Sequence, residues 1–343
     1  MENIKTIDLK IETSLGSYER DRYKAAGLAM LLMAAGHMLT RVLVGVVIAN
    51  LLAGANLSFT AFDFLLDTIF SLIAQVVFCF LVPFLVYKKM LKLSTPQIFK
   101  ESNFVKTRKM TLGLSVAIGV AGVFLGIVVG LIASMVFIMF GYQVPPAINS
   151  HPESFNIGLF LLSIFLIVVL PSFCEEFAMR GIFLNSMRTV FINTTIVIIL
   201  GLSFGLFHQN IRQFFPTMVA GIIMGILTIK TGSVWPAVIV HAVNNGIAVV
   251  FDYARFYDWG GGFVDRLFDF IIDQGLMSVF LTAAISLAII IPSIMVISKW
   301  SKEDGAEKKI EKLYKPTIRE SAFLIGALVL TAVTTIFTFA FGI

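Results

Sequence analysis

At 343 residues the chain could hold two or three soluble domains, but 58% of it is hydrophobic and only 14% charged. Mean hydropathy is +0.92, and apolar runs recur at the roughly 20 residues a bilayer-crossing helix needs. This excludes an ordinary soluble fold, and the lack of short alternating segments excludes a membrane barrel. The net charge of +5 does not point to nucleic acid, because Lys and Arg cluster in a few loops beside apolar spans.

In chain order, residues 1–24 read as a polar, mixed-charge cytoplasmic tail, mobile or lying on the membrane surface. Spans follow near 25–53 and 68–87, then a basic loop from Lys88 to Lys109 and a third span near 112–140. The proline-containing stretch 143–154 reads as a loop, with His151 solvated in it. The fourth span starts near 157 and continues past Arg180 towards Arg188. The fifth, sixth and seventh lie near 194–208, 215–229 and 234–251, the fifth and sixth being short for a full crossing. An acidic loop with Asp252, Asp258, Asp265, Asp269 and Asp273 leads to an eighth span near 276–297. A second basic loop, 299–319, precedes a ninth span from about 322 to the end.

The fold class is therefore an all-α polytopic membrane protein of about nine transmembrane helices. Its organisation is a tail (1–24), N-terminal helices (25–156), a core (157–252), and a C-terminal loop with two helices (253–343). With the N-terminus inside, every Lys and Arg except Arg41, Arg212, Arg255 and Arg266 falls on the cytoplasmic side, as the positive-inside rule requires. No internal repeat is evident. Cys79 and Cys174 fall in or beside apolar runs, without metal-site spacing, and read as buried thiols.

The core carries side chains that hydrocarbon tolerates only with a reason. A charge at the bilayer centre costs on the order of 3 kcal/mol. Glu176 and Arg180 are four apart and share a helix face, so they can pair as a structural ion pair. Glu175 points about 100° away, free to face another neighbour and suited to general-base work. Phe204 and His208, and His241 and Asn245, repeat the four-residue spacing, so three helices could turn polar faces to one point. At about 1.5 Å per residue, Glu175 and His208 lie roughly 20 Å along their helices and His241 only about 12 Å, a mismatch in depth. Outside the core, His37 and Arg41 form another such pair, read as structural, with Arg41 snorkelling outward or meeting Asp63 or Asp67.

A zincin HExxH is absent, since Gln209 follows His208 and Ala242 follows His241. Ser203 as a nucleophile would leave the glutamates unexplained, and no intramembrane Asp partners Asp258. The ordered set Glu175-Glu176-x-x-x-Arg180, Phe204-x-x-x-His208 and His241-x-x-x-Asn245 resembles the CPBP (Abi) family of intramembrane proteases, which includes CAAX-prenyl endoproteases and bacteriocin-processing or self-immunity proteins. The resemblance covers roughly residues 157–250.

It implies an intramembrane endopeptidase in which Glu175 activates water with His208 beside it. His241 and Asn245 would then bind the substrate carbonyl and its oxyanion, while Glu176, Arg180 and Phe204 support the site. Two cofactor readings stay open: a catalytic zinc held by His208, His241 and Glu175, or metal-free hydrolysis. The implied partners are a peptide or protein substrate and the lipid bilayer, with no nucleic acid, and the implied location is a bacterial-type plasma membrane. The alternatives are a non-catalytic membrane scaffold or bacteriocin self-immunity protein, or a secondary transporter using the buried carboxylates.

Overall fold

The structure, a computed structural model, describes residues 2–52, 54, 58–142, 151, 154–273, 275–306 and 314–341. Among them there is no strand; the chain is an all-α bundle. Helix α1 starts at Glu2 and includes the apolar stretch Leu15–Leu52. It is followed by α2 (Thr60–Met90), the short α3 (Thr95–Glu101), α4 (Lys109–Met139), α5 (Ile157–Met187) and α6 (Asn193–Phe207). Then come α7 (Ile211–Thr231), α8 (Trp235–Phe256), α9 (Phe263–Asp273), α10 (Leu276–Glu303) and α11 (Ile318–Phe341).

Eight of these helices are long and apolar enough to cross a membrane, and α6 is a ninth apolar helix of only 15 residues. At about 1.5 Å per residue, α6 spans roughly 22 Å, less than the ~30 Å hydrocarbon core. The sixth span is longer than its sequence suggested: α7 has 21 residues, because Asn210 caps its start and Gly232, at φ 62°, ends it.

Three expectations need correcting. The stretch read as a tail, mobile or lying on the membrane surface, is helical from Glu2, and its last turns are tied to the bundle, so it is not mobile there. Tyr18 Oη donates to Glu101 at 2.6 Å, and buried Glu19 accepts from Thr189 Oγ1 at 2.8 Å. The acidic loop is mostly helix: α8 continues to Phe256, and α9 alternates exposed Phe263 and Phe270 with Asp265 and Asp269, an amphipathic pattern the loop reading overlooked. His151 is not solvated. Its ring packs 4.8 Å from Tyr253 and 4.5 Å from Phe256, with Nε2 2.9 Å from Asp252 Oδ2. The rest of the expected proline loop (143–150, 152–153) and the middle of the second basic loop (307–313) lie outside the described residues.

The core gathers around α5, whose C-terminal half is buried on all sides from Phe177 to Met187. Phe177 meets Phe80 of α2, Phe99 of α3 and Phe104 at ring distances of 4.9–6.1 Å. Small residues set the helix spacing. A Cβ on Gly221 of α7 would stand 3.1 Å from the Cα of Gly201 on α6, and one on Gly119 of α4 would stand 2.8 Å from Val243 Cβ on α8. These close crossings bring the motif-bearing helices together.

Candidate active site

The carboxylates sit where α5 changes its winding. Pro171 opens the α-helical stretch Leu170–Glu176, and the wider π-helical turns of Phe177–Leu184 follow. Glu175 is 4% exposed, and Glu176 and Arg180 are fully buried. The four-residue spacing does pair the last two: Arg180 Nη1 donates to Glu176 Oε1 at 2.8 Å. Arg180 also donates from Nη2 to the Gly221 carbonyl at 3.2 Å, and its Cζ lies 4.5 Å from the Phe204 ring centroid. A buried guanidinium is thus held by a carboxylate, a helix carbonyl and an aromatic face.

Glu176 has a second duty the spacing did not reveal. The same Oε1 lies 2.9 Å from His241 Nδ1. A carboxylate oxygen only accepts, so Nδ1 carries the proton and Nε2 is left for chemistry. His208 is fixed the same way. Its Nδ1 is 2.9 Å from the Phe204 carbonyl, another obligate acceptor, which again leaves Nε2 uncommitted. Phe204 stands between the two imidazoles, with ring centroids 5.1 Å from His208 and 5.7 Å from His241, both edge-on. It is therefore the spacer that sets both rings as well as the floor under Arg180.

Glu175 faces elsewhere, as its position on the turn required. Its Oε1 accepts from Gln75 Nε2 of α2 at 2.7 Å, and buried Oε2 has no hydrogen-bond partner. Asn245 donates from Nδ2 to the Ile167 carbonyl at 2.8 Å. That carbonyl belongs to a second π-helical stretch, Ile164–Val169, and the amide keeps another N–H.

Glu175, His208, His241 and Asn245 all line one cavity of about 450 Å³. The three helices thus bring these groups to one cavity despite their unequal distances along each helix, and Gln209 at φ 49° lies in the turn that follows α6. Ser203 is not in this cavity; it faces Met30, Ala34 and Phe207 on another side of α6. Cys79 and Cys174 are buried free thiols.

The cavity has walls that sequence reasoning did not assign to it: Gln75 from α2, His37 and Arg41 from α1, and Gln213 and Thr217 from α7. Gln75 carried a signal, being a lone amide inside the apolar run 72–81. Arg41 is exposed, as its place near a helix end suggested; no described ion pair joins it to Asp63 or Asp67, while Nη2 donates to the His208 carbonyl at 2.9 Å and Cζ lies 5.8 Å from the Phe70 ring. His37, read as structural, packs between Phe70 and Phe207 and also lines the cavity.

The family model described as "Type II CAAX prenyl endopeptidase Rce1-like" matches residues 157–247, from the start of α5 into α8. This segment is an Rce1-like domain. It is consistent with the CPBP resemblance of the motifs and supports, at family level, a CAAX-type intramembrane protease. No curated protein and no solved structure matches the chain significantly. The Rce1-like segment contains all three motifs but not His37, Arg41 or Gln75.

A zinc ion would need three converging donors with tetrahedral geometry. Among the described residues no three His, Cys, Asp or Glu side chains form such a group. As arranged, His208, His241 and Glu175 do not form such a group.

Proposed function

We propose that the chain is an intramembrane endopeptidase whose Glu175 draws a proton from water so that the oxygen attacks a peptide carbonyl. One observation carries this reading. The unpartnered Oε2 of Glu175 shares a cavity with two imidazoles whose Nε2 atoms are left uncommitted and an amide with an N–H to give.

The steps follow from what each group can donate or accept. Glu175 Oε2 accepts the proton of a water that His208 Nε2 also holds, and the new C–O bond places negative charge on the carbonyl oxygen. Asn245 donates to that oxygen through its remaining Nδ2–H, and His241, set by Glu176, is the second group assigned to the substrate carbonyl. The proton held by Glu175 passes to the amide nitrogen as the C–N bond breaks, releasing an amine and a carboxylic acid. Gln75 keeps Glu175 in one rotamer throughout, so its free oxygen points at the water rather than at Gln75.

The substrate is a peptide or protein reached at the membrane, and the enzyme is integral to the bilayer. The positive-inside pattern supports a cytoplasmic N-terminus in a plasma membrane of bacterial type. The test is Glu175→Gln, which keeps the volume and a Gln75 contact while removing the base. It abolishes turnover of a cleaved peptide while the purified protein stays monodisperse with an unchanged melting point. Cleavage retained by that variant would reject the assignment.

A further inference from the structure

A second cavity, a groove of about 780 Å³, lies away from Glu175, where the turn after α5 meets the start of α11. Its lining changes character along its length. Lys315 and Thr317, both exposed, stand in the segment that leads into α11. Along α11 itself the wall is Ile318 and Ile325, which remain 84% and 47% exposed and share the groove with Val190 and Phe191. The two isoleucines are seven positions apart, so the apolar strip runs roughly 10 Å along the helix. Ser321 lies between them, but its Oγ is already matched with Tyr23 Oη at 3.2 Å. The walls are tied in place. Tyr314 N donates to the Thr189 carbonyl at 3.4 Å, and the Tyr23 ring stands edge-on to Phe191 and Tyr314 at 6.5 and 6.3 Å.

The charge at the polar end points to an anion. Glu320, the nearest acid in sequence, accepts from Thr317 N and Oγ1 at 2.9 Å each and pairs with Lys24 at 3.7 Å. Lys315 and Arg319 are exposed, and none of the described ion pairs includes either. Both belong to the basic segment that the positive-inside pattern puts on the cytoplasmic side, the leaflet richest in anionic lipid. A free phosphate would use the cations and leave the apolar strip uncovered. A second copy of the chain would cover the strip but bring no acid from the same face, since Glu320 is committed. A lipid uses both ends. We propose that this groove seats one anionic glycerophospholipid, its phosphate on Lys315 with Arg319 beside it and an acyl chain along Ile318 and Ile325 against Phe191. The groove's volume lies within the ~300–1,000 Å³ of sites that enclose small ligands. Bound there, the lipid bridges α11 to the end of α5, the helix that carries Glu175 and Glu176. The proposal is independent of the hydrolase reading.

The test uses delipidated full-length protein in a neutral detergent, titrated with phosphatidylglycerol, phosphatidylcholine or inorganic phosphate. Native mass spectrometry counts lipids and chains per particle, and the shift in melting midpoint with concentration gives the affinity. Wild type should retain one phosphatidylglycerol per chain, bound about tenfold or more tighter than phosphatidylcholine. Lys315→Gln should remove that preference, and Lys315→Arg should keep it. Lys89→Gln takes the same charge from an exposed site at the end of α2 and should change nothing. Ile325→Trp, which fills the apolar strip, should reduce retention of both lipids. Equal retention of the two lipids by wild type overturns the proposal. So does a loss with Lys89→Gln as large as with Lys315→Gln, which marks diffuse attraction to a basic surface. A midpoint shift reproduced by inorganic phosphate alone would give the site to a free anion. A lipid-free dimer that Ile325→Trp dissociates would give the face to a second copy, and either result rejects the lipid.

Discussion

Replacing both members of the buried Glu176–Arg180 pair separates what holds the fold from what aims the chemistry. Both side chains are fully buried and 2.8 Å apart. Glu176→Ala leaves the Arg180 guanidinium with only the Gly221 carbonyl at 3.2 Å and the face of Phe204 at 4.5 Å. An uncompensated buried charge of this kind costs about 3–5 kcal/mol. At about 2–4 °C per kcal/mol, the melting midpoint of the purified protein should fall by roughly 6–20 °C. The double variant Glu176→Leu/Arg180→Met removes the stranded charge. Met keeps a favourable contact with Phe204, so most of the lost stability should return.

Activity should not return with it. His241 Nδ1 has lost the oxygen at 2.9 Å that held its tautomer and direction. Loss of such an orienting partner typically costs about 10–100-fold. A thermal shift assay and a peptide-cleavage assay on the same three preparations decide the matter. A double variant as unstable as Glu176→Ala would show that the pair's charge is not what the fold depends on. A stable double variant with full kcat/KM would show that His241 does not need Glu176.

The other expectations are briefer. Gln75→Leu removes the one hydrogen bond on Glu175 and should lower kcat/KM by about 10–100-fold, mainly through kcat, with little change in melting point. An unchanged kcat would free Gln75 of a positioning role. Phe204→Leu takes away the spacer between two imidazoles and the aromatic face under Arg180, worth about 2 kcal/mol when desolvated. It should impair both melting and turnover, where a surface Phe would affect neither. Gly221→Ala forces α6 and α7 apart at a 3.1 Å approach, and should destabilise the protein in circular dichroism melts more than Gly122→Ala, whose Cβ would meet open space. Dialysis against a chelator should leave cleavage unchanged, because no three His, Cys, Asp or Glu side chains among the described residues form a group that could hold a metal; activity lost and then restored by added zinc would refute that.

The bundle was legible because bilayer thickness imposes one length on every crossing, and apolar runs of that length are hard to mistake. The motif residues were legible because a charge in hydrocarbon must answer for itself, and a four-residue spacing puts two side chains on one face. What spacing could not show is which partner a face meets. Glu176 reads as half of a pair with Arg180, yet it also holds His241, 65 positions away in sequence. Arg41 reads as an outward-reaching side chain because its helix position is near an end, and it is exposed, but spacing gave no sign of the His208 carbonyl to which it donates. The helix hidden in 263–273 was masked by its aspartates, whose even spacing along one face marks amphipathic structure as readily as a loop.

The Rce1-like segment begins at residue 157, but the cavity does not respect that boundary. Gln75 of α2 donates to Glu175, and His37 and Arg41 of α1 line the wall. Removing residues before 157 would expose Phe177, now packed against Phe80 and Phe99, and leave Glu175 without its hydrogen bond. On the proposed mechanism the motifs carry the reacting groups, while the preceding helices supply the hydrogen bond to Glu175 and part of the cavity wall. The ion pair, the Phe204 spacer and the Gly201–Gly221 crossing that hold the motif residues lie on α5 to α8, so a change confined to the α1 and α2 wall should alter the lining of the cavity more than the packing of the helices that carry the motifs.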